Sequence, residues 1–257
     1  MRIVTWNVNS LKVRLPRVLE LLAELTPDVV CLQETKVESA AFPHGELRDA
    51  GYAAVDHSGG RWAGVAVLAP LAAAPAQAAR GLPGEADPDD ARWIEADIGG
   101  LRVVSTYVPN GREPGTEWFE GKLHFLAAAR ERIAVLAAAG PLVVAGDFNI
   151  APEDIDVYDP AAFVGSTHVT PEERAAHRAL LAAGLRDAYR VVSPGGQRYT
   201  WWDYRAGNFH KNLGMRIDHI LLTPDLSDRL EACDIARDYR KGTKPSDHAP
   251  LVADLAG

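Results

Sequence analysis

Five residues of this chain carry side chains suited to phosphate chemistry and stand at strand ends or in loops: Glu34, Asp147, Asn149, Asp247 and His248. Glu34 closes the apolar run Val29-Val30-Cys31-Leu32-Gln33, and Asp147 and Asn149 follow Leu142-Val143-Val144-Ala145-Gly146, whose glycine permits close backbone approach. Asn7 and Asn9 follow the first predicted strand in Trp6-Asn7-Val8-Asn9-Ser10. Any one of these residues alone reads as a turn or a helix cap. Together, at strand ends of an α/β chain, they converge on a shared cleft. Carboxylate and amide oxygens are hard ligands, and a set without cysteine suits Mg²⁺ or Mn²⁺ better than zinc. Glu34 is the first candidate ligand, with Asn7, Asn9 and Asp247 near it. The ion would offset charge in the transition state of phosphate-ester hydrolysis and stabilise the leaving oxygen.

His248 lies in Lys244-Pro245-Ser246-Asp247-His248-Ala249-Pro250, and a further acid, Asp218, lies in Met215-Arg216-Ile217-Asp218-His219. A carboxylate against an imidazole fixes its tautomer and raises its pKa. That pair could donate to a phosphate oxygen or help activate water, and Asp147 competes for the water-activating role. The residue types leave both assignments open. Tyr107 and Asn110, in Tyr107-Val108-Pro109-Asn110-Gly111, offer uncharged hydrogen-bond donors to a phosphate.

The elements that must position these groups follow from apolar patterning. Strands are predicted at Arg2–Trp6, Val29–Gln33, Tyr52–Asp56, Gly64–Leu68, Arg92–Ile98, Leu101–Tyr107, Leu142–Gly146, Met215–Leu222 and Pro250–Leu255. Pro16 is placed in the first turn of a helix that Thr26-Pro27 stops. Thr116 caps a helix through Ala139, and Thr170-Pro171-Glu172-Glu173 forms a capping box for a helix to about Ala183. The hairpin around Gly99-Gly100 makes the sheets mixed. Residues 72–90, rich in Ala, Pro and Gly, read as a surface excursion. The expected fold is α/β, with two mixed β-sheets packed face to face and helices outside, in a single domain over residues 1–257.

Composition constrains the partners. Lys and Arg number 27 against 35 Asp and Glu, a net charge of −8, which argues against a general nucleic-acid binder but allows a local basic rim. No run approaches the roughly 18 apolar residues of a membrane span. The chain opens directly on a strand, which favours a cytoplasmic protein. Cys31 and Cys233, the latter after a helix-like stretch, read as buried small hydrophobes rather than a disulfide.

Six motifs occur in order: Trp6-Asn7-Val8-Asn9-Ser10-Leu11, Leu32-Gln33-Glu34-Thr35-Lys36, Tyr107-Val108-Pro109-Asn110-Gly111, Gly146-Asp147-Phe148-Asn149, Arg216-Ile217-Asp218 and Lys244 to Pro250. This series resembles the AP endonucleases of the exonuclease III family, within the endonuclease/exonuclease/phosphatase superfamily, over essentially the whole chain. The resemblance implies a four-layer α/β sandwich. It implies a Mg²⁺-dependent cut 5′ to an abasic site in duplex DNA, with 3′-end trimming and 3′→5′ exonuclease action. It also assigns Glu34 as metal ligand with Asn7 and Asp247 close by. Tyr107, Asn110 and Asn149 become phosphate contacts, Asp147 the water-orienting acid, and Asp218 with His248 the acid–imidazole pair.

The segment Tyr199-Thr200-Trp201-Trp202-Asp203-Tyr204-Arg205 separates this family from its phosphatase relatives. By the same resemblance, Trp201, Met215 and Ile217 line a pocket for a base-less sugar, with Trp202 behind. Such a pocket would exclude an intact nucleotide by size. Arg205, His210, Lys211 and Arg216 flank it as candidate backbone-phosphate contacts, with Arg112 and Lys36 beside Asn110 and Glu34 and a second group, Arg237, Arg240, Lys241 and Lys244, further on. The expected partner is duplex DNA with abasic sites or blocked 3′ ends, bound by a monomer. Two alternatives stand beside it: a superfamily relative that hydrolyses a non-nucleic-acid phosphate ester, and a non-catalytic DNA-binding module. The Trp-Trp segment and basic rim weigh against the first, and the intact set of acids and His248 against the second.

Overall fold

The computed structural model describes residues 1–87 and 89–257, and its strands form two six-stranded sheets. The first sheet runs, in spatial order, β11 (Leu230–Ile235), β12 (Leu251–Leu255), β1 (Arg2–Asn7), β2 (Val29–Gln33), β4 (Val65–Pro70) and β3 (Tyr52–His57). The second runs β5 (Ala76–Arg80), β6 (Trp93–Ile98), β7 (Leu101–Tyr107), β8 (Leu142–Asp147), β10 (Asp218–Leu222) and β9 (Arg186–Asp187). Each sheet holds one parallel pair, β1 with β2 and β7 with β8, and the other neighbours are antiparallel. Helix α1 (Leu11–Leu25) joins the first parallel pair, α2 (His44–Asp49) leads into β3, and α3 (Glu117–Ala139) joins the second parallel pair. A parallel connection needs such a crossover, and Asn7 at the end of β1 bonds to Asp147 at the end of β8, so both pairs end at the same edge of the sandwich.

Side-chain alternation builds the layers. In β1, Ile3 faces the other sheet, where it shares a core with Val29, Val65, Ile94, Val103, Val143 and Ile220. Val4 and Trp6 point the other way and pack with Val18, Leu21 and Leu22 of α1. On the far side, Val104, Leu142 and Val144 meet Phe125, Leu126 and Ile133 of α3 and Leu180 of α4 (Pro171–Ala182). Strands buried on both faces read as continuous apolar runs, which is why the sequence exposes them so clearly. The expected mixed, four-layer architecture is the one observed.

Local signals hold in two helices and fail in one. Thr116 accepts from the Phe119 amide at the start of α3, and Thr170 and Glu173 form a reciprocal capping box at the start of α4. Helix α1, however, begins at Leu11, so Pro16 lies inside it rather than in its first turn. Tertiary contacts set that start: the Ser10 and Leu11 amides donate to the Glu34 and Thr35 carbonyls at 2.8 Å each, and Leu11 is fully buried. Thr26 ends the helix in the left-handed region, as Thr26-Pro27 predicts.

The expected excursion at 72–90 carries an edge strand, β5, which pairs with β6 through an irregular register; position 88 of that stretch lies outside the described residues. Alanines obscure this strand, since they lack the β-branched signature. Strand β11, carrying Cys233, was likewise not expected, because its faces alternate weakly. Both cysteines are buried and free. No helix among the described residues is long and apolar enough to cross a membrane.

Candidate active site at the joined ends of the two sheets

Register brings the polar residues together. Asn7 ends β1 opposite Gln33, so Glu34 follows beside it; Tyr107 ends β7 opposite Asp147. Antiparallel β10 sets Asp218 opposite Asp147, and the loop before β12 delivers His248. Several of these loop residues adopt left-handed backbone without being glycine: Asn9 (φ 43°), Glu34 (50°), Lys36 (51°) and Asn149 (51°). Such strain concentrates where surrounding structure holds a side chain for a purpose.

The contacts form one connected set. Asn7 Nδ2 donates to Glu34 Oε1 at 2.7 Å and to Asp147 Oδ2 at 2.9 Å, joining the two sheets across the cleft. Glu34 Oε2 pairs with Lys36 Nζ at 2.6 Å, and Lys36 also donates to Asn9 Oδ1. Asp247 accepts from Asn9 Nδ2 at 3.0 Å and from Trp201 Nε1 at 3.1 Å. Asp218 Oδ2 lies 2.8 Å from His248 Nδ1, and the other ring nitrogen faces Asp147 Oδ2 at 3.7 Å. Asn149 donates through its backbone to Asp147 Oδ1 and through Nδ2 to the Val108 carbonyl, and Asn110 Nδ2 reaches Asn149 Oδ1 at 3.4 Å.

Burial and crowding set the charges. Burial pushes the Asp147 carboxyl up to about 7, with Asp218 and Glu34 adding to the rise and His248 opposing it. Burial works against the His248 imidazolium, but the Asp218 and Asp147 carboxylates outweigh it and raise the ring to about 10. Desolvation, followed by Glu34 and Asp147, keeps the Tyr107 phenol protonated. Ligand atoms of Glu34, Asp147 and His248 all lie within 4.8 Å of one another. A hard divalent cation fits the Glu34 and Asp147 carboxylates of this set, because it would offset their mutual repulsion, while the protonated His248 ring stands beside it as a donor.

Trp201, Met215 and Ile217 do come together, in an apolar cluster with Ala151, Val157, Phe163 and Val169. Trp202 is buried behind, against Tyr199 and Phe209. Arg205 is exposed and paired with Asp203 at 2.5 Å, and Lys211 is exposed. Arg216 corrects an expectation. It is wholly buried, bound to Asp156 Oδ1 at 2.6 Å and Asp187 Oδ2 at 2.7 Å, and it cannot reach a phosphate in solvent. Arg240 is also buried, with its guanidinium over Tyr204 and Phe209.

The sequence reading missed a group beneath the site: Lys122, Thr167, His168 and Glu173. Lys122 Nζ donates to the backbone carbonyls of Asn149 and Asn110 at 2.7 and 3.2 Å and to Glu173 Oε1. His168 sets Nδ1 2.6 Å from the Asn149 carbonyl and Nε2 3.4 Å from Asn110 Nδ2; desolvation and Lys122 push its ring down to about 4. The available signal was a lysine on the apolar face of α3, between Phe119 and Phe125.

A four-layer sandwich with acids, amides and an imidazole gathered at one edge defines a class of metal-assisted phosphoesterase. A family profile described as the endonuclease/exonuclease/phosphatase family matches residues 4–248. The chain is 33% identical to exodeoxyribonuclease III of Haemophilus influenzae over 268 aligned residues, covering 99% of this chain and all of the relative. Among solved structures, the 3′ phosphatase NExo from Neisseria, bound to a product DNA hairpin, superposes with a TM-score of 0.96 at 40% identity over 100% of both chains. An AP endonuclease from Archaeoglobus fulgidus superposes with a TM-score of 0.95 at 36% identity, again over 100% of both. This chain belongs to the endonuclease/exonuclease/phosphatase family and is an enzyme of its exodeoxyribonuclease III branch.

Proposed function

We propose that the chain is a Mg²⁺-dependent phosphodiesterase of DNA repair. It cuts duplex DNA immediately 5′ to an abasic site, trims blocked 3′ ends and degrades 3′→5′, working as one catalytic unit and a monomer. The observation that carries this reading is the Asn7 bridge between Glu34 and Asp147, with Asp218–His248 on one side and the Trp201 cluster beside it. The former supplies hydrolysis of a phosphate ester; the latter supplies a site for a sugar without a base.

Glu34 would hold the ion, flanked by Asn7 and Asp247; when bound, the ion offsets phosphate charge and acts as a Lewis acid. Asp147 orients the attacking water and takes its proton, a role suited to a buried carboxylate held in place by Asn7 and by the Asn149 amide. His248, held cationic by Asp218, donates to a phosphate oxygen that gains charge in the transition state. Tyr107, Asn110 and Asn149 donate to the same phosphate without adding charge. Asn9 steadies Lys36 and Asp247 around the ligand. Trp201, Met215 and Ile217 exclude an intact nucleotide, and Arg205 and Lys211 meet the backbone on the rim.

The test compares a duplex with one abasic analogue, a duplex with a recessed 3′-phosphate and a phosphoinositide, each with Mg²⁺ and with EDTA. Absence of Mg²⁺-dependent incision at the abasic analogue would sink the first activity. Glu34→Gln should raise the Mg²⁺ needed for half-maximal rate by about 10–100-fold; an unchanged Mg²⁺ profile removes its ligand role. A second reading, in which 3′ ends are the main substrate, is favoured by the 40% identity to the Neisseria 3′ phosphatase. It stands if the 3′-phosphate is removed while the abasic duplex stays intact.

A further inference from the structure

We propose that Lys122 is a positioning residue that sets the aim of Asn110 and Asn149 from beneath the site. The inference rests on the reading above, in which those two amides contact the phosphate.

Lys122 sits in α3 on the same face as Phe119, Phe125 and Leu126, and it is fully buried. Its ammonium has three protons and three acceptors: the Asn149 carbonyl at 2.7 Å, the Asn110 carbonyl at 3.2 Å and Glu173 Oε1 at 2.5 Å. Its donors are therefore all spent on the protein, which sets it apart from a group that touches substrate. The loops it ties together leave the ends of β7 and β8, the parallel pair at the centre of the second sheet.

Glu173 anchors the lysine in turn. Its carboxylate accepts from the His168 amide at 2.9 Å and from the Thr170 amide and hydroxyl at 3.1 and 2.8 Å, so the α4 capping box fixes its position. The Thr167 hydroxyl lies 3.0 Å from the Asn110 carbonyl and 2.7 Å from Glu173 Oε1, with its single proton shared between these two acceptors. Gly111 confirms how closely the chain crosses the lysine. With φ at +84°, a Cβ there would come within 2.8 Å of Lys122 Cδ.

A buried lysine–glutamate pair is a poor way to stabilise a fold, because desolvation offsets much of the attraction and an apolar pair of equal volume does as well. What an apolar pair cannot do is donate to two carbonyls at once. Lys122 fixes the Asn149 carbonyl directly, in a left-handed turn at φ 51° that asparagine adopts more readily than other side-chain-bearing residues. Since catalysis depends on placement to a fraction of an ångström, loosening both amides should slow chemistry far beyond any change in stability.

The test is a double-mutant cycle in the full chain with Mg²⁺, using whichever of the abasic and 3′-phosphate duplexes is turned over faster. Lys122→Met keeps the apolar stem and removes the donors. We expect single-turnover rate to fall about 30–100-fold in the otherwise unchanged chain, by a clearly smaller factor in an Asn149→Ala background, and less than about threefold when Asn110→Ala is added to that background. A purely structural lysine would give the same factor in every background, and that result overturns the proposal. Full activity of Lys122→Met beside an impaired Asn149→Ala also overturns it. Full activity of Asn149→Ala is a separate outcome, which removes the phosphate-contact reading and this inference with it. If Lys122→Met does not fold, the near-isosteric Thr167→Val carries the test. Its expected loss is about 3–10-fold, absent in an Asn110→Ala background; equal losses in both backgrounds refute the bracing role.

Discussion

Asn7 donates to Glu34 and to Asp147, so one uncharged amide bridges the two carboxylates, while Lys36 and His248 supply the cations on their outer sides. On the other flank, Asp218 fixes the proton of His248 on Nδ1 and turns the second nitrogen toward Asp147. The imidazole thus stands between two acids, and its positive charge is a product of both. Replacing Asp218 by asparagine keeps the shape and removes one of those charges, leaving the ring free to take the other tautomer. Asp218→Asn should therefore fold with little change in Tm and lose about 10²–10⁴-fold in single-turnover rate, the range that general acid–base groups supply. A loss below tenfold, with Tm unchanged, would show that His248 works without its partner.

The parallel pair β7–β8 carries Tyr107 and Asp147 side by side, and Gly146 is the residue that lets the strands close on one another. A Cβ on Gly146 would fall 1.9 Å from the Thr106 carbonyl oxygen, a backbone atom that cannot rotate away. Gly146→Ala must push β8 from β7 just before Asp147. The expected cost is about 3 kcal/mol, or a Tm drop of about 6–12 °C, with activity lost even below the transition; a melt within 2 °C of the parent chain would contradict the clash. This glycine was legible in the sequence, as were the strand ends around it. Buried strands announce themselves as apolar runs, and a polar residue directly after one marks the cleft edge. Tertiary partners decided what stayed illegible. Pro16 could not reveal that α1 starts earlier, because that start rests on amides bonded to the carbonyls of Glu34 and Thr35. Arg216 reads as a surface cation until Asp156 and Asp187 are seen around it, and the place of Lys122 on the apolar face of α3 gains a reason only with Glu173 and two loop carbonyls. A charged residue's burial is a property of its partners, and one chain read alone does not name them.

At the scale of the whole molecule, a net charge of −8 must be reconciled with a polyanionic substrate. Asp156, Asp187 and Glu173 are paired within the fold with Arg216, Arg190 and Lys122, three charges of each sign, so internal pairing leaves the sum unchanged and the reconciliation must come from where the remaining charges stand. Exposed cations lie close in sequence to the site segments: Arg61 beside the Lys36 loop, Arg112 after Asn110, Arg205 (paired with Asp203) and Lys211 after the Trp201 segment, and Lys244 before Asp247. Their field is local, and at physiological ionic strength it outranks the distant net charge, because screening cuts interactions beyond about 8 Å. If about five such cations meet phosphates, log K for duplex DNA should fall with log salt at a slope of about −4.5, roughly 500-fold between 50 and 200 mM NaCl. Binding measured by fluorescence anisotropy with EDTA present, to prevent cleavage, gives that slope directly. Lys211→Ala or Arg205→Ala should each flatten it by about one. A slope near zero, with DNA still bound, would mean that the rim does not touch the backbone and that apolar contacts at the Trp201 cluster hold the substrate instead.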